Sequence, residues 1–426
     1  WYPMNMLQSL FVSDGYLAPG VMQFFILIHT ALAGFGMYLF TKRIFRTDDL
    51  SAIFAGIAYA FSGYITAQVI HQMIVYHIAW FPLVAYAFVR GFDSWKHAIL
   101  AGLALGVMYL AGHPQATLYF TFLLALFAAY ELAYRLRHRG EGAEGLSLVT
   151  VARMALPVII GAGLFAIQLL PSQELASLSR RNEITYQKSL EGSLSTGHLM
   201  TLTLPRLFGV RGASEELGAP YWNGPYYMSW EAAIYIGVLP LFFAMMAGFT
   251  AGKRKYVPLL VGVGLFAIAF SLGDHFFLYK LFFNLPLFGK FRTPSRMMML
   301  FAFSACALGG VGLSEALRSE RAKWGGQWLF VAGGVVALPF ILAILGMLHP
   351  SSFLAGAPEQ AKEAISAAAG LAVIPMLGLA IVLVQGYLGK LRGVAMAAVV
   401  IGVTVIELFH YGMGLNASSE DPRETY

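Results

Sequence analysis

The stretch "FGKFRTPSRMMMLFAF", Phe288 to Phe303, sets Lys290, Arg292 and Arg296 around a proline and then runs straight into apolar sequence. That apolar run extends over 294–317 without the two-residue alternation of a membrane barrel, so it reads as one helix across a hydrocarbon core of about 30 Å. Proline at a first helical position loses no hydrogen bond, and Thr293 before it is expected to cap the helix. Arg296 then falls in the first turn, where the helix dipole is already positive. Free backbone N–H groups and paired arginines at a helix start make an anion site, and phosphate is the anion of a membrane surface. The competing reading pairs these arginines with loop carboxylates or phospholipid headgroups.

Similar runs recur along the chain. Apolar residues make up 58% of its 426 residues and charged residues 12%, where soluble domains carry about a quarter. The fold class is therefore all-α, a polytopic transmembrane bundle of about twelve spans. The expected limits are 21–41, 50–70, 73–91, 97–112, 115–135, 150–170, 231–251, 256–273, 294–317, 327–348, 367–388 and 393–411. Residues 1–20 end an outer loop, 21–170 hold the first helices, 171–230 form a long extracytoplasmic loop, 231–412 hold the remaining helices, and 413–426 begin an outer soluble portion. Trp1 is no initiator methionine and the tail "NASSEDPRETY" is polar, so the chain reads as a piece of a longer protein.

Alternate loops carry "TKRIFRTDD", "RGFDSWKH", "YRLRHRGEGAEG", "AGKRKY", "LRSERAKWGG" and "GKLRG", which the positive-inside rule makes cytoplasmic. The net charge of +6 is accounted for in this way and calls for no nucleic acid. The single cysteine, Cys306, lies inside an apolar run, which excludes disulfides and cysteine metal sites as organising devices.

Some cations oppose this topology. Arg180, Arg181, Lys188, Arg206 and Arg211 fall in the long outer loop, and Lys280, Lys290, Arg292 and Arg296 fall near the 294–317 helix. They either serve an anionic ligand or pair with Glu174, Glu183, Glu191, Glu215 and Glu216. The segment "GDHFFLYKLFFNLPLFG" is too short to span; it either lies in the interface and shapes the entrance for an acyl or prenyl chain, or is a packed loop helix. Glu231 opens the 231–251 run, where a helix N-terminus favours a carboxylate; it could act as a base on a hydroxyl or hold a divalent cation such as Mg or Mn, or merely complement the dipole. Asp14 also lies outside, although Asp-Gly is first a turn signal.

His71 and His113 stand at outward helix ends and, with His77, could line one cavity, though none has the spacing of a zinc site. Buried His29 and Gln168 read as interhelical hydrogen-bonding groups. The cluster Tyr221, Trp222, Tyr226, Tyr227 and Trp230 suits a membrane interface, and equally a carbohydrate platform. There is no GxxxxGK[ST] phosphate loop, so an ATP-driven pump is unsupported.

In order along the chain, "WYPMNMLQSLF", "LIHTALAGFGMYLFTKRIF", "AGIAYAFSGYITAQVIH", "AWFPLVAYAF", "AGHPQATLYF", "EAAIYIGVLPLFFA" and "FGKFRTPSRMMMLFAF" resemble the bacterial YfhO family, which looks like part of the GT-C superfamily of membrane glycosyltransferases. The resemblance covers most of the chain. It implies a polyprenyl-phosphate sugar donor, transfer to a hydroxyl acceptor on the outer face, and a place in the bacterial cytoplasmic (inner) membrane. It also implies a catalytic acid in the first outer loop, most of which would precede Trp1; Asp14 falls beyond "WYPMN", which leaves Glu231 as the substitute. On this reading Lys290, Arg292, Arg296, Arg180 and Arg181 would bind the donor phosphate, and His71, His113 and Tyr227 would line the substrate pocket. A transporter or flippase of a lipid-linked substrate and a noncatalytic subunit of a larger membrane complex are the alternatives; no internal repeat favours the transporter.

Overall fold

The computed structural model describes residues 1–13, 15–138, 147–178, 184–208, 230–318 and 358–413, together with Leu415 and isolated positions between 331 and 349. In chain order the helices are α1 (Pro3–Ser9), α2 (Pro19–Phe45), α3 (Asp49–Ala60), α4 (Gly63–Ala67), α5 (Gln72–Gly91), α6 (Trp95–Leu110), α7 (Pro114–Arg137) and α8 (Leu148–Ser177). There follow α9 (Tyr186–Ser189), α10 (Val238–Thr250), α11 (Val257–Ser271), α12 (Phe277–Phe283), α13 (Met298–Arg318), α14 (Pro358–Tyr387) and α15 (Gly393–Gly412). The one strand pairing among the described residues is the two-residue ladder of Val12–Ser13 with Tyr16–Leu17. The protein is all-α, and among the described residues 8 helical segments are long and apolar enough to cross a membrane. Three shorter apolar helices, α6, α10 and α11, accompany them. It is a multi-pass membrane protein.

Local chemistry sets many helix ends. Proline occupies the first turn of α1, α2 and α7, where its missing N–H is no loss. Asp48 caps α3 by accepting from Ser51 N at 2.9 Å. Lys42 and Arg43, Arg90, Arg135 and Arg137, and Arg318 stand in the last turns of α2, α5, α7 and α13. Cations at these C-terminal ends are favoured by the helix dipole.

The chain divides into two compact units, one of Trp1–Arg46 and His71–Thr185, the other of Thr47–Ile70 and Tyr186–Tyr426. In the first, α5 packs on α2, α6 and α7, and α6 on α8. Gly106 lets α6 lie against α8, since a Cβ there would stand 2.6 Å from Leu164. At one end of the unit the Tyr2 hydroxyl donates to His29 Nε2 at 2.6 Å and accepts from Trp80 Nε1 at 2.8 Å. His29 Nδ1, 2.6 Å from the Phe25 carbonyl, carries the ring proton, so Nε2 is free to accept. Burial pushes the Tyr2 phenol well above its ordinary range, which keeps it a donor.

In the second unit α13 is enclosed on its sides by α10, α11 and α3. Gly312 permits the tightest approach: a Cβ there would lie 1.9 Å from the Phe243 carbonyl oxygen. Glu315 of α13 pairs with Arg254 in the loop before α11.

Three expectations change. The run 231–251 is helical only from Val238: residues 233–237 have no regular secondary structure, Ile234 N closes a tight turn on the Ala232 carbonyl at 2.9 Å, and Gly237 turns with φ 96°. The polar groups of this segment are met from elsewhere in the unit: Gly63 N donates to the Tyr235 carbonyl at 2.6 Å, and Glu407 of α15 accepts from Val238 N at 2.6 Å and from the Tyr235 hydroxyl. Irregular backbone beside a bilayer persists only when buried and paired in this way. Second, Thr293 is not a side-chain cap; it adopts the left-handed conformation (φ 66°) and leads into a 3-10 turn, Pro294–Met297, before α13 begins at Met298. Its N–H is held by the Ser189 carbonyl at 3.1 Å, and that bond sets the turn. Third, α8 runs on past the expected limit of 170 to Ser177, and α14 starts at Pro358 rather than 367. The expected span 327–348 falls mostly outside the described residues.

Candidate functional site

The second unit joins two of the singled-out residues. Glu231 is 1% exposed, and its Oε1 accepts from Arg296 Nε and Nη2, each at 2.8 Å. Its Oε2 accepts from Gln68 Nε2 at 3.1 Å, and the same amide donates to the Trp230 carbonyl at 3.2 Å. Gln68 is fully buried in the 3-10 turn Gln68–Ile70 that follows α4. The Arg296 side chain keeps 19% of its surface open. The start of the 231–251 run is not helical, and Glu231 stands in a turn seven residues before α10 begins at Val238. The expectation that Glu231 sits at a helix N-terminus is thereby corrected.

Beside this pair lies a second ionic group. Arg292 Nη1 reaches Glu191 Oε2 at 3.2 Å, and Lys188 Nζ reaches Glu191 Oε1. Arg292 is half exposed and Lys290 is exposed. The segment that supplies Lys188 and Glu191 is fastened to the approach to α13: Leu194 N donates to the Ser271 carbonyl at 2.8 Å, and the Tyr279 hydroxyl lies 3.4 Å from the carbonyls of Ser189 and Phe291. His198, buried in the 3-10 turn Thr196–Leu202, accepts from Ser195 N at 3.0 Å. Burial, helped by the nearby His275, pushes its imidazole down to about 3, so it is neutral at physiological pH. Arg206 turns away from this group; it donates to the carbonyls of Tyr411 and Met413 and caps the end of α15.

His71, His77 and His113 lie in the first unit. His113 caps α7, its Nδ1 accepting from Ala116 N at 3.1 Å. His77 is buried and stacks on Phe120, with ring centroids 5.8 Å apart. His71 precedes α5 and its carbonyl accepts from Ile74 N at 2.8 Å. Asp14, Arg180, Arg181 and Tyr227 lie outside the described residues. Among the described residues no group of three or more His, Cys, Asp or Glu side chains converges on a metal position. Glu231 Oε1 accepts from Arg296 and Oε2 from Gln68, so the carboxylate is held by nitrogen donors on both oxygens.

Sequence reading passes over Gln68 and Glu407. An acid inside the otherwise apolar run "VTVIELFH" is the available signal for Glu407. Nothing local marks Gln68.

The arrangement defines a class: a polytopic membrane protein with a buried carboxylate–guanidinium pair between Glu231 and Arg296, and a second ionic group of Lys188, Glu191 and Arg292. No family model and no curated protein matches the sequence. Two solved structures are similar to it, ArnT from Cupriavidus metallidurans bound to undecaprenyl phosphate (16% identity, TM-score 0.45) and the same protein in the apo state (17% identity, TM-score 0.44). Each comparison covers 97% of this chain and 67% of the other. With TM-scores below 0.5, function has to be read from this chain's own residues.

Proposed function

We propose that this chain is a membrane glycosyltransferase of the GT-C type, related to the YfhO proteins. It would transfer a sugar from a polyprenyl-phosphate donor to a hydroxyl acceptor at the extracytoplasmic face of the bacterial inner membrane. The observation that carries the reading is the Glu231–Arg296 pair at 2.8 Å, with half-exposed Arg292 four residues before Arg296 in the chain. It supports the reading because it joins a carboxylate, which could accept a proton, to a guanidinium that a donor phosphate could bind. The donor phosphate would compete with Glu231 for Arg296 and recruit Arg292 from Glu191. Once released, Glu231 Oε1 would take the acceptor hydroxyl's proton while that oxygen bonds to the anomeric carbon. The bond from that carbon to the phosphate oxygen breaks, and its electron pair leaves on the phosphate, where the guanidiniums stabilise it. No step is routed through a metal.

One observation favours a second reading, a noncatalytic subunit. Both Glu231 oxygens are engaged and the side chain is buried, which suits a structural pair. A labelled polyprenyl-phosphate sugar assay separates the two. Arg292→Ala and Arg296→Ala are expected to lower transfer at least tenfold, which corresponds to about 1.4 kcal/mol of lost stabilisation. Transfer unchanged in both refutes the phosphate assignment, and no transfer by the native protein under any donor favours the noncatalytic role.

A further inference from the structure

A different surface of the second unit stands unexplained by the transfer reaction. After α11 ends at Ser271, the chain folds back as a strap through α12 to Lys290. One side of the strap is anchored: Tyr279 packs edge-on against Phe270 (centroids 5.1 Å), and Phe282 against Phe266 (5.2 Å) and Phe288 (5.2 Å). The other side is open. Phe277 is 63% exposed and Leu281, one turn on, 58%, with Phe276, Leu285 and Leu287 exposed as well. Single exposed apolar residues need no explanation, whereas five within the twelve residues 276–287 form a patch. Lys280 stands between Phe277 and Leu281 on the same open side, and Lys290 closes the strap, also exposed.

This combination selects one occupant. A protein partner's buried centre disfavours lysine, whereas an anionic bilayer surface takes apolar side chains into its acyl boundary and lysines among its headgroups. Lysine stems of this length can lie along the apolar surface while the ammonium reaches the phosphates. The strap is also continuous with a membrane helix: it seats on Phe266 and Phe270 of α11, and Leu265 beside them is 64% exposed. We propose that the 276–290 strap lies in the headgroup region of the leaflet opposite the Lys253–Lys255 loop, with Phe277, Leu281, Leu285 and Leu287 in the acyl boundary and Lys280 and Lys290 on anionic lipid headgroups.

The protein's one cysteine, Cys306, is buried and stays out of reach of label, so single cysteines can be added to the native chain. Phe277→Cys, Leu281→Cys and Leu285→Cys are spin-labelled, with exposed Gln187→Cys as the aqueous reference, in vesicles of phosphatidylcholine with and without phosphatidylglycerol. The expected result is collision with oxygen over a nickel chelate at least about tenfold more favoured at the three strap positions than at Gln187. Lys280→Gln with Lys290→Gln should reduce that preference in the anionic vesicles, by about fivefold per lysine, and leave it alone in the neutral ones. Nickel access equal to that at Gln187 places the strap in water and overturns the proposal. Exclusion of both probes means that protein covers the strap, a second copy or another segment, and overturns it too. A lysine effect of equal size in both vesicle types removes the headgroup assignment. Cys306 staying closed to label in each lysine variant reports that the chain remains folded.

Discussion

Cutting the Glu231–Arg296 pair from either side should not cost the same. Arg296→Gln leaves a carboxylate that is 1% exposed with Gln68 as its remaining donor, so desolvation is no longer offset by a cation. Breaking a buried pair in this way costs about 3–5 kcal/mol, and the surviving amide bond argues for the lower end, about 3. Glu231→Gln leaves instead a guanidinium with 19% of its surface open, which can turn toward water, and the new amide can still accept one hydrogen bond. That loss should be about 1 kcal/mol. The double variant removes both charges, and its cost should fall below the sum by about 1 kcal/mol or more. Reversible SDS-induced unfolding in mixed micelles, followed by tryptophan fluorescence, measures all three, with Gln68→Leu as a fourth variant that should sensitise Glu231 further. Equal single-variant costs, or additivity within about 0.5 kcal/mol, would refute the pairing as drawn.

Two further outcomes follow from groups that hold the same neighbourhood. Glu407→Gln keeps an acceptor for Val238 N and the Tyr235 hydroxyl and should cost under about 1 kcal/mol, whereas Glu407→Leu strands both donors and should cost about 2–4 kcal/mol in the same unfolding assay. His198 titrates near 3 in the fold against an ordinary 6.5, so below pH 6.5 the unfolded chain binds a proton that the folded chain refuses. Stability should therefore fall as pH drops from about 6.5 toward 3, by up to about 5 kcal/mol at about 1.4 kcal/mol per tenfold change in proton affinity. His198→Asn should flatten that limb while leaving stability above pH 7 little changed.

Much of the helical layout can be read from one sequence because a bilayer asks mainly for length and apolarity. The runs at 21–41, 73–91 and 115–135 need no partner information to be recognised, and basic residues at their ends give direction. The reading fails where a segment's polar groups are met from afar. "WEAAIYIG" is apolar enough to pass as the start of a span, yet it is not helical; Gly63, Gln68 and Glu407 supply hydrogen bonds to it, and Gln68 lies 163 residues from Glu231. His113 shows the same limit from the other side: a histidine before a proline at an outward helix end fits a ligand pocket or a cap equally well, and only the Ala116 N–H at 3.1 Å assigns its Nδ1 to the cap.

The cations at 290–296 make the point most sharply. A positive charge at the positive end of a helix is a local conflict, so a sequence can announce that something must compensate it. What compensates it is nonlocal: Glu231 for Arg296 and Glu191 for Arg292, drawn from 65 and 101 residues away. A carboxylate and a phosphate satisfy a guanidinium by the same geometry, so the resting pair and the proposed donor complex are competing states of one site. The pair's strength thus sets how tightly a donor phosphate must bind to displace Glu231, and a weak coupling in the double-variant cycle would favour exchange while a strong one would favour a permanent strut.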